Sequence, residues 1–247
     1  MQKEVISLNL SIVIPCFNEQ ERLPKTLHTF FEFLNHSESM QNLSWEILIV
    51  DDGSSDRTID TILQEFNEEI RAKKIKLLIQ PHNMGKGASI RMGVLASVGE
   101  MILFSDADGS TPIAEFLKLK NSISSGVDVA IGSRHDLSLI DVKQPFFRIL
   151  LGKTYNRIVR LLTGLDIQDT QCGFKLLRGD IGRKIFAQMF VNGFSFDVEM
   201  LYLAAQANCK IVEIPVIWAN DERSKVVIWR DPFFMFLDLL RIKLKHG

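Results

Sequence analysis

Two carboxylates, Asp106 and Asp108, stand one residue apart directly after a short apolar segment of the chain. Residues 101–105 have the composition and length of a buried strand, so both carboxylates are expected where that strand ends. Carboxylate oxygens in such a place suit a hard divalent cation that keeps its other positions for water and substrate phosphates. The pair therefore predicts a site for Mg²⁺ or Mn²⁺.

A second acidic pair, Asp51 and Asp52, follows an upstream apolar segment, residues 45–50, in the same manner. Ligands of open α/β sheets bind at the carboxyl ends of the strands, so two acidic strand ends indicate a nucleotide-diphosphate site built around a metal. Each motif alone has a simpler interpretation, because Asp-x-Asp is common and residues 51–56 also fit a turn followed by a helix N-cap. The order and spacing of several such strand ends favour the nucleotide site.

Glycines flank Lys86 on both sides in the segment Gly85-Lys86-Gly87. A P-loop needs Ser or Thr directly after Gly-Lys, and Gly87 stands there instead. No G-x-G-x-x-G opens a helix after the first strand, which excludes the Rossmann dinucleotide fingerprint. Lys86 is therefore expected near a helix N-terminus, where it either meets an anion or lies in an ordinary glycine-rich helix start.

Further polar residues are candidates for substrate contacts. Arg134 follows the fifth predicted strand, and at that edge it either binds phosphate or forms a structural ion pair with a nearby aspartate. Asp169 and Glu199 are candidates for sugar recognition or for steering charge, although a capped turn and a helix dipole also explain them. Residues 223–225 form either a basic loop that folds over a pyrophosphate or a solvated turn.

The composition limits the class of protein. The chain has 247 residues, of which 46% are hydrophobic and 24% charged, and its formal net charge is −1. These values describe a folded protein with one large domain, or one domain and a small appendage, and they argue against nucleic-acid binding. The three cysteines are odd in number and far apart, which favours a reducing compartment. Neither a signal peptide nor a transmembrane helix is expected.

Strands and helices alternate in the first half, which predicts an α/β protein with a mostly parallel central sheet and helices on both faces. Asn18 is expected to cap a helix over residues 19–34, and residues 58–70 are expected to form one helix. The other predicted elements lie at residues 10–15, 45–50, 75–79, 87–97, 101–105, 113–124, 127–131, 196–207 and 211–218.

Two later segments combine basic and apolar residues at helical spacing. Residues 143–165 carry five basic residues and no acidic one, and residues 232–244 have an apolar face with Arg241 and Lys245 opposite. Helices of this kind lie on membrane surfaces, where basic residues favour an anionic leaflet. The alternative for both is an ordinary amphipathic helix packed on the sheet.

Eight segments, taken in order, resemble the family 2 glycosyltransferases with the A-type glycosyltransferase fold. They are SIVIPCFNE, ILIVDDGSSD, HNMGKGASIRMG, FSDADG, IGSRH, DTQCGFKL, FSFDVEMLY and ERSKV, and they extend over nearly the whole chain. Within that family, DADG, DTQCGFKL, FDVEMLY and the SK loop are similar to the dolichyl-phosphate β-glucosyltransferase group. Polyprenyl-phosphate mannosyltransferases usually have a Leu-Gln-type sequence after the acidic pair, where this chain has Gly109-Ser110.

The resemblance implies roles for individual residues. It implies that Asp106 and Asp108 hold the metal and the diphosphate. Together with Arg134 and the candidate Asp169, they form the expected catalytic set. The residues implied in nucleotide binding are Pro15, Glu19, Asp51, Asp52, Lys86 and Asp106. Those implied near the acceptor phosphate are Arg134, Arg148 and Lys225.

The resemblance further implies an inverting transfer of glucose from UDP-glucose to a polyprenyl (dolichyl-type) phosphate, by a peripheral protein on the cytoplasmic face of a membrane. A phosphate acceptor is already ionised near neutral pH, so a strong general base is not required. The alternatives are a polyprenyl-phosphate mannosyltransferase using GDP-mannose, a hydroxyl-directed family 2 transferase in polysaccharide synthesis, and a degenerate domain that only binds. The expected parts are a nucleotide-sugar half (1–135), an acceptor half of the same domain (136–220), and a basic loop with a C-terminal amphipathic helix (221–247).

Overall fold

The computed structural model describes the backbone of residues 8–134, 146–219 and 231–247, and their side chains except those of residues 146–151, 153 and 231. The strands in these ranges are β1 (Leu10–Cys16), β2 (Trp45–Asp51), β3 (Ile75–Ile79), β4 (Met101–Phe104), β5 (Val129–Ser133), β6 (Lys175–Arg178) and β7 (Ile211–Pro215). They form one sheet in the order β3-β2-β1-β4-β6-β5-β7.

The sheet is mostly parallel, as predicted. Strands β1, β2, β3 and β4 run in one direction, and β5 pairs in parallel with β7. Only β6 among these strands is reversed, and it lies antiparallel between β4 and β5. Strands of the two predicted halves therefore share one sheet, while the proposed boundary between the halves stays a prediction.

Helices cover both faces of the sheet, which confirms the predicted three layers. They are α1 (Leu23–His36), α2 (Thr58–Glu65), α3 (Asn67–Arg71), α4 (Lys86–Ala96), α5 (Phe116–Ser124), α6 (Phe146–Thr163), α7 (Gly179–Phe186), α8 (Phe196–Gln206) and α9 (Asp231–His246). Short 3₁₀ turns occupy Glu38–Met40 and Ile113–Glu115.

Two hydrophobic cores lie on opposite faces of the central strands. Val13 and Phe104 pack with residues of α4, α6, α7, α8 and α9, whereas Ile12, Ile14 and Leu103 pack with residues of α1, α2 and α5. Successive residues of a strand point to opposite faces. A strand covered on both faces must therefore be apolar throughout, which explains the continuous apolar runs in the sequence.

The predicted start of the first helix is wrong. Helix α1 begins at Leu23, with Pro24 in its first turn, rather than at Glu19. Asn18 has a φ of +53° and does not cap the helix. Asparagine tolerates this left-handed conformation, and its Oδ1 accepts a hydrogen bond from Ser55 N at 2.8 Å. Asn18 therefore joins the turn after β1 to the turn after β2.

The single helix expected over residues 58–70 is also wrong, because the chain bends at Phe66 between α2 and α3. Phe66 has φ −118° and ψ +29°, outside the helical range. Its buried ring stacks on Phe31 of α1, with ring centroids 5.8 Å apart. Helical spacing continues across the bend, so the apolar pattern alone does not reveal it.

Candidate active site at the carboxyl edge of the sheet

The acidic strand ends and Arg134 come together at one edge of the sheet. Strands β1, β2, β4 and β5 all end at this edge, and the reversed strand β6 begins there. Asp51 is the last residue of β2, Asp106 lies two residues beyond β4, and Arg134 directly follows β5. The reversal of β6 brings residues 169–174 to the same edge. The topology thus places both acidic pairs and Arg134 along one edge of the sheet.

Lys86 and Asp106 form an ion pair that joins the start of α4 to the loop after β4. Lys86 Nζ lies 2.5 Å from Asp106 Oδ1, and the two side chains are 23% and 36% exposed. Burial acts to lower the pKa of Lys86, but the charges of Asp106 and Asp197 outweigh it and raise the pKa. Lys86 therefore presents a permanent positive charge beside the acidic pair.

Asp108 is held in a tight turn after β4. Its Oδ1 accepts a hydrogen bond from Ser110 N at 3.0 Å, and Gly109 has a φ of +66°, which glycine adopts without steric cost. Helix α1 supports the turn, because Thr26 Oγ1 donates to Ala107 O at 2.8 Å. The Asp108 side chain is 24% exposed, so its carboxylate is accessible to a ligand.

Arg22 is a site residue that the sequence reasoning missed. Its Nη1 lies 4.0 Å from Asp108 Oδ2, and its guanidinium also pairs with both carboxylate oxygens of Glu19. Glu19, expected at the nucleotide, is thus a buried partner of Arg22. No motif surrounds Arg22, and only the fold brings it next to Asp108.

A second layer of residues supports Asp106 from behind. A Cβ at Gly173 would lie 2.0 Å from Asp106 Oδ2, so only glycine leaves room for that carboxylate. Lys175 anchors the loop of residues 169–174 that contains Gly173, because its Nζ donates to Cys172 O and to Asp197 Oδ1, each at 2.5 Å. Lys175 is fully buried and Asp197 nearly so. Sequence reasoning missed this pair, because its members are 22 residues apart.

Arg134 forms a bidentate ion pair with Asp169, which was one of its two predicted roles. Arg134 Nε and Nη2 each donate to an Asp169 oxygen at 2.8 Å, and Arg134 N donates at 3.0 Å. Burial alone would raise the pKa of Asp169, but Arg134 outweighs it and lowers the pKa to about 2. Asp169 is therefore a charged partner that orients Arg134, and it is poorly suited to accept a proton near neutral pH.

The other residues expected at the nucleotide have structural partners. Asp52 accepts hydrogen bonds from Gln80 Nε2, Met84 N and Gly85 N at 2.7 to 3.0 Å. Burial raises the pKa of Asp52, and the two backbone donors act against that rise. Asp51 Oδ2 accepts from Ser54 N at 2.9 Å. Both carboxylates thus shape the loops of this edge.

Pro15 is a buried residue of β1. Arg148 belongs to helix α6, but its side chain lies outside the described residues, as does the whole of Lys225. The roles predicted for these two cations at the acceptor phosphate stay predictions.

The expectation that Glu199 faces the sugar is wrong. Its side chain is fully buried and accepts hydrogen bonds from Phe190 N and Val191 N. His246 Nε2 lies 2.9 Å from the same carboxylate. Glu199 therefore acts inside the fold. Its alternative interpretation, as an acid favoured by the helix dipole, did not predict these partners.

Asp106 and Asp108 fit a divalent cation that also binds a substrate. Each carboxylate uses its Oδ1 for a bond to Lys86 or Ser110, and Oδ2 of Asp108 lies 4.0 Å from Arg22 Nη1, which is beyond hydrogen-bond distance. No group of three or more His, Cys, Asp or Glu in the described ranges could hold a metal. Two accessible carboxylates suit Mg²⁺ or Mn²⁺ only when water and substrate phosphates complete the coordination.

The two predicted amphipathic helices differ in how their apolar faces are covered. The apolar face of α6 packs on the core through Val159 and its neighbours Tyr155, Ile158 and Leu162, which agrees with the alternative of a helix packed on the sheet. Leu161 is 83% exposed on the other side. Among the helices in the described ranges, none has both the length and the apolar character needed to cross a membrane.

Helix α9 keeps an exposed apolar stripe. Leu239 and Ile242 are buried against the core, and the stripe lies on another side of the helix. Its exposed members, spaced three or four residues apart, are Phe233, Phe236, Leu240 and Leu244. That spacing puts them on one helical face.

Comparisons with known proteins identify the family and the fold of the chain. A family model described as glycosyl transferase family 2 matches residues 11–186. The chain is 39% identical over 242 residues to a dolichyl-phosphate beta-glucosyltransferase of Trichomonas vaginalis, covering 94% of this chain and 72% of the relative. It is 35% identical over 243 residues to the enzyme of that name from Drosophila melanogaster, covering 95% and 73%.

Solved structures share the fold at low sequence identity. The glucosyl-3-phosphoglycerate synthase of Mycobacterium tuberculosis in complex with UDP superposes with a TM-score of 0.69 at 15% identity, covering 96% of this chain and 80% of that one. The same synthase with Mn²⁺, UDP-glucose and phosphoglyceric acid gives a TM-score of 0.66 at 15% identity, with the same coverage. These likenesses establish an A-type glycosyltransferase fold.

Proposed function

The chain belongs to glycosyl transferase family 2, and from that premise we propose that it transfers glucose from UDP-glucose to a polyprenyl phosphate of the dolichyl type, with inversion at the anomeric carbon. The observation that carries the proposal is the similarity over most of the chain to dolichyl-phosphate beta-glucosyltransferases of several organisms. The site geometry supports it at both ends of the reaction.

On the donor side, the chemistry depends on the departure of UDP, which gains negative charge as its bond to glucose breaks. Lys86 carries a permanent positive charge beside Asp106, so we assign to it the electrostatic stabilisation of that charge. Asp106 and Asp108 would hold the Mg²⁺ or Mn²⁺, which when bound neutralises charge on the diphosphate. The nucleoside would bind among the loops that Asp51 and Asp52 hold in place.

On the acceptor side, the described residues supply a cation, and two carboxylates with raised pKa values are not available as bases. Arg134 is fixed by Asp169 and is 25% exposed, which suits it to orient a phosphate oxygen for in-line attack. Asp197 and Asp52 have raised pKa values, but both carboxylates are buried and hydrogen-bonded. An acceptor that is already ionised needs no general base. Arg148 and Lys225 are proposed to help bind the acceptor phosphate.

A lipid acceptor also requires contact with a membrane. We assign that contact to the exposed stripe of α9, because Arg241 and Lys243 lie on either side of it at helical spacing and such helices bind anionic interfaces. The three free cysteines fit a reducing compartment. We therefore propose a peripheral location on the cytoplasmic face of a membrane.

A donor panel tests the proposal. The purified protein is given UDP-glucose, GDP-mannose or UDP-galactose with Mn²⁺ and a short polyprenyl phosphate, and release of the nucleoside diphosphate is followed. The proposal expects release from UDP-glucose that depends on the lipid phosphate. Release that requires GDP-mannose would make the chain a mannosyltransferase, and release with a sugar hydroxyl in place of the lipid would favour polysaccharide synthesis.

A further inference from the structure

We propose that two glutamates, Glu199 and Glu213, position the donor and acceptor sides of the site separately. Each carboxylate binds the backbone of one loop, and each loop supports one of the charged residues at the sheet edge. The inference rests on the proposed function in taking Lys86 as a donor residue and Arg134 as an acceptor residue. Neither glutamate is assigned a contact with substrate.

Glu199, on α8, holds the loop of residues 189–193. Its Oε2 accepts a hydrogen bond from Val191 N at 2.8 Å, and Phe190 N lies 3.0 and 3.1 Å from its two oxygens. The carboxylate is fully buried. His246 Nε2, at the end of α9, lies 2.9 Å from Oε1 of the same carboxylate. A buried carboxylate with these donors fixes the loop backbone firmly.

The loop that Glu199 holds forms the surface on which Lys86 and its two glycines pack. Ala88 N donates to Asn192 O at 3.2 Å. A Cβ on Gly85 would lie 2.4 Å from Asn192 O, and one on Gly87 would lie 2.6 Å from the carbonyl oxygen of Val191. The glycines on both sides of Lys86 are thus in direct contact with this loop. A shift of the loop would move Lys86 relative to Asp106.

Arg91 of helix α4 also binds the loop of residues 189–193. Arg91 Nη1 donates to Met189 O at 3.0 Å, and its Nη2 donates to Asn192 Oδ1 at 2.9 Å. The loop is therefore fixed between α4 and α8, and Arg91 offers a second place at which to loosen it.

Glu213, on β7, holds the loop before β6 in the same way. Its Oε2 accepts from Gln168 N and its Oε1 from Asp169 N, both at 2.8 Å. Asp169 in turn binds Arg134 through three hydrogen bonds. Glu213 thus fixes the residue that orients Arg134.

A glutamine at either position keeps the size of the side chain but removes one acceptor. A carboxylate accepts with both oxygens, whereas an amide accepts with one and turns its NH₂ towards a second donor. Each substitution therefore loses one charge-assisted hydrogen bond to a loop and leaves two donors facing each other. We expect each loss to weaken the binding of the ligand that the positioned residue contacts by roughly three- to tenfold.

The test compares Glu199→Gln with Glu213→Gln in the full-length protein. UDP binding is measured by calorimetry with Mn²⁺ present, binding of a short polyprenyl phosphate is measured by direct titration, and KM for each substrate is taken from the transfer assay. The proposal expects Glu199→Gln to weaken UDP binding several-fold with unchanged lipid-phosphate binding. It expects Glu213→Gln to weaken lipid-phosphate binding several-fold with unchanged UDP binding.

Equal effects of both variants on both ligands would overturn the inference, and so would a loss of thermal stability with both affinities unchanged. If Glu199→Gln does not fold, Arg91→Ala loosens the same loop from the surface of α4 and is expected to weaken UDP binding alone. A wild-type protein that binds UDP but neither binds nor glucosylates the lipid phosphate would end the proposed function. The donor-side inference would then still be decided by UDP binding of Glu199→Gln.

Discussion

Lys86 Nζ lies 2.5 Å from Asp106 Oδ1, so the cation proposed for the leaving group is already at the acidic pair before any ligand arrives. Gly173 leaves room for the Asp106 carboxylate, and the glycines beside Lys86 let the start of α4 approach closely. Preorganised charge of this kind stabilises a transition state without reorganisation during the reaction.

Replacement of Lys86 by Met is expected to lower kcat by roughly a hundredfold, because the developing charge on UDP loses its fixed cation. Steady-state kinetics with saturating lipid phosphate measure the effect. Lys118→Met is the matched control, since it removes a lysine that is 44% exposed and whose partner, Glu115, is not a residue of the proposed site. An unchanged kcat in Lys86→Met would contradict the assigned role.

Replacement of Asp108 by Asn is expected to abolish most metal-dependent UDP binding while the turn survives. The amide oxygen still accepts from Ser110 N, but a neutral amide is a weaker ligand for a hard cation than a carboxylate. Calorimetry of UDP with and without Mn²⁺ checks this, with Asp60→Asn on the exposed side of α2 as the control. The metal role would be rejected if Asp108→Asn bound UDP and Mn²⁺ like the wild type.

The Arg134–Asp169 pair predicts a pH-dependent contribution to stability. The pKa of Asp169 falls from an ordinary 3.8 to about 2 in the folded protein, so its contribution is fully present above about pH 4 and is lost as the pH falls through 2. Wild type is expected to exceed Asp169→Asn by about 2 kcal/mol in unfolding free energy at pH 7. Urea unfolding across the acid range measures the difference, and a gap that stays constant down to pH 2 would contradict the pairing.

The stripe on α9 predicts where the protein meets lipid. Phe233→Ser combined with Phe236→Ser is expected to reduce binding to vesicles containing anionic phospholipid by roughly tenfold or more, because two exposed aromatic side chains no longer enter the interface. Vesicle flotation measures this. Leu161→Ser, at an 83% exposed position of α6, is the matched control. Equal losses of vesicle binding in both variants, or no loss in either, would contradict the assignment of the membrane contact to α9.

The sequence was sufficient to predict most strands of the sheet and the edge at which the candidate site lies. Most strands are rich in apolar residues, and the apolar run of β4 ends two residues before Asp106. Such signals are local, because strand burial and strand ends are visible within a few residues. The same holds for Arg134 after β5.

The features of the site and the fold that the sequence did not predict depend on contacts between distant parts of the chain. The pairing of Arg22 with Asp108 and of Lys175 with Asp197 requires the complete topology. Helical periodicity gave α6 an apolar face but did not reveal that the core covers it. Glu199 looked like a first-turn acid on α8, and only its buried backbone partners show what it does.

The identity of the lipid product tests the central claim most directly. The protein is incubated with Mn²⁺, a mixture of UDP-glucose and GDP-mannose made distinguishable by isotopic labelling, and a short polyprenyl phosphate, and the extracted lipid is analysed by mass spectrometry. We expect polyprenyl phosphate carrying one hexose with the glucose label, and roughly a hundredfold less of it per unit time when Lys86→Met replaces the wild type at equal concentration. Lipid that carries the mannose label, or that stays unmodified with wild-type protein, would contradict the account.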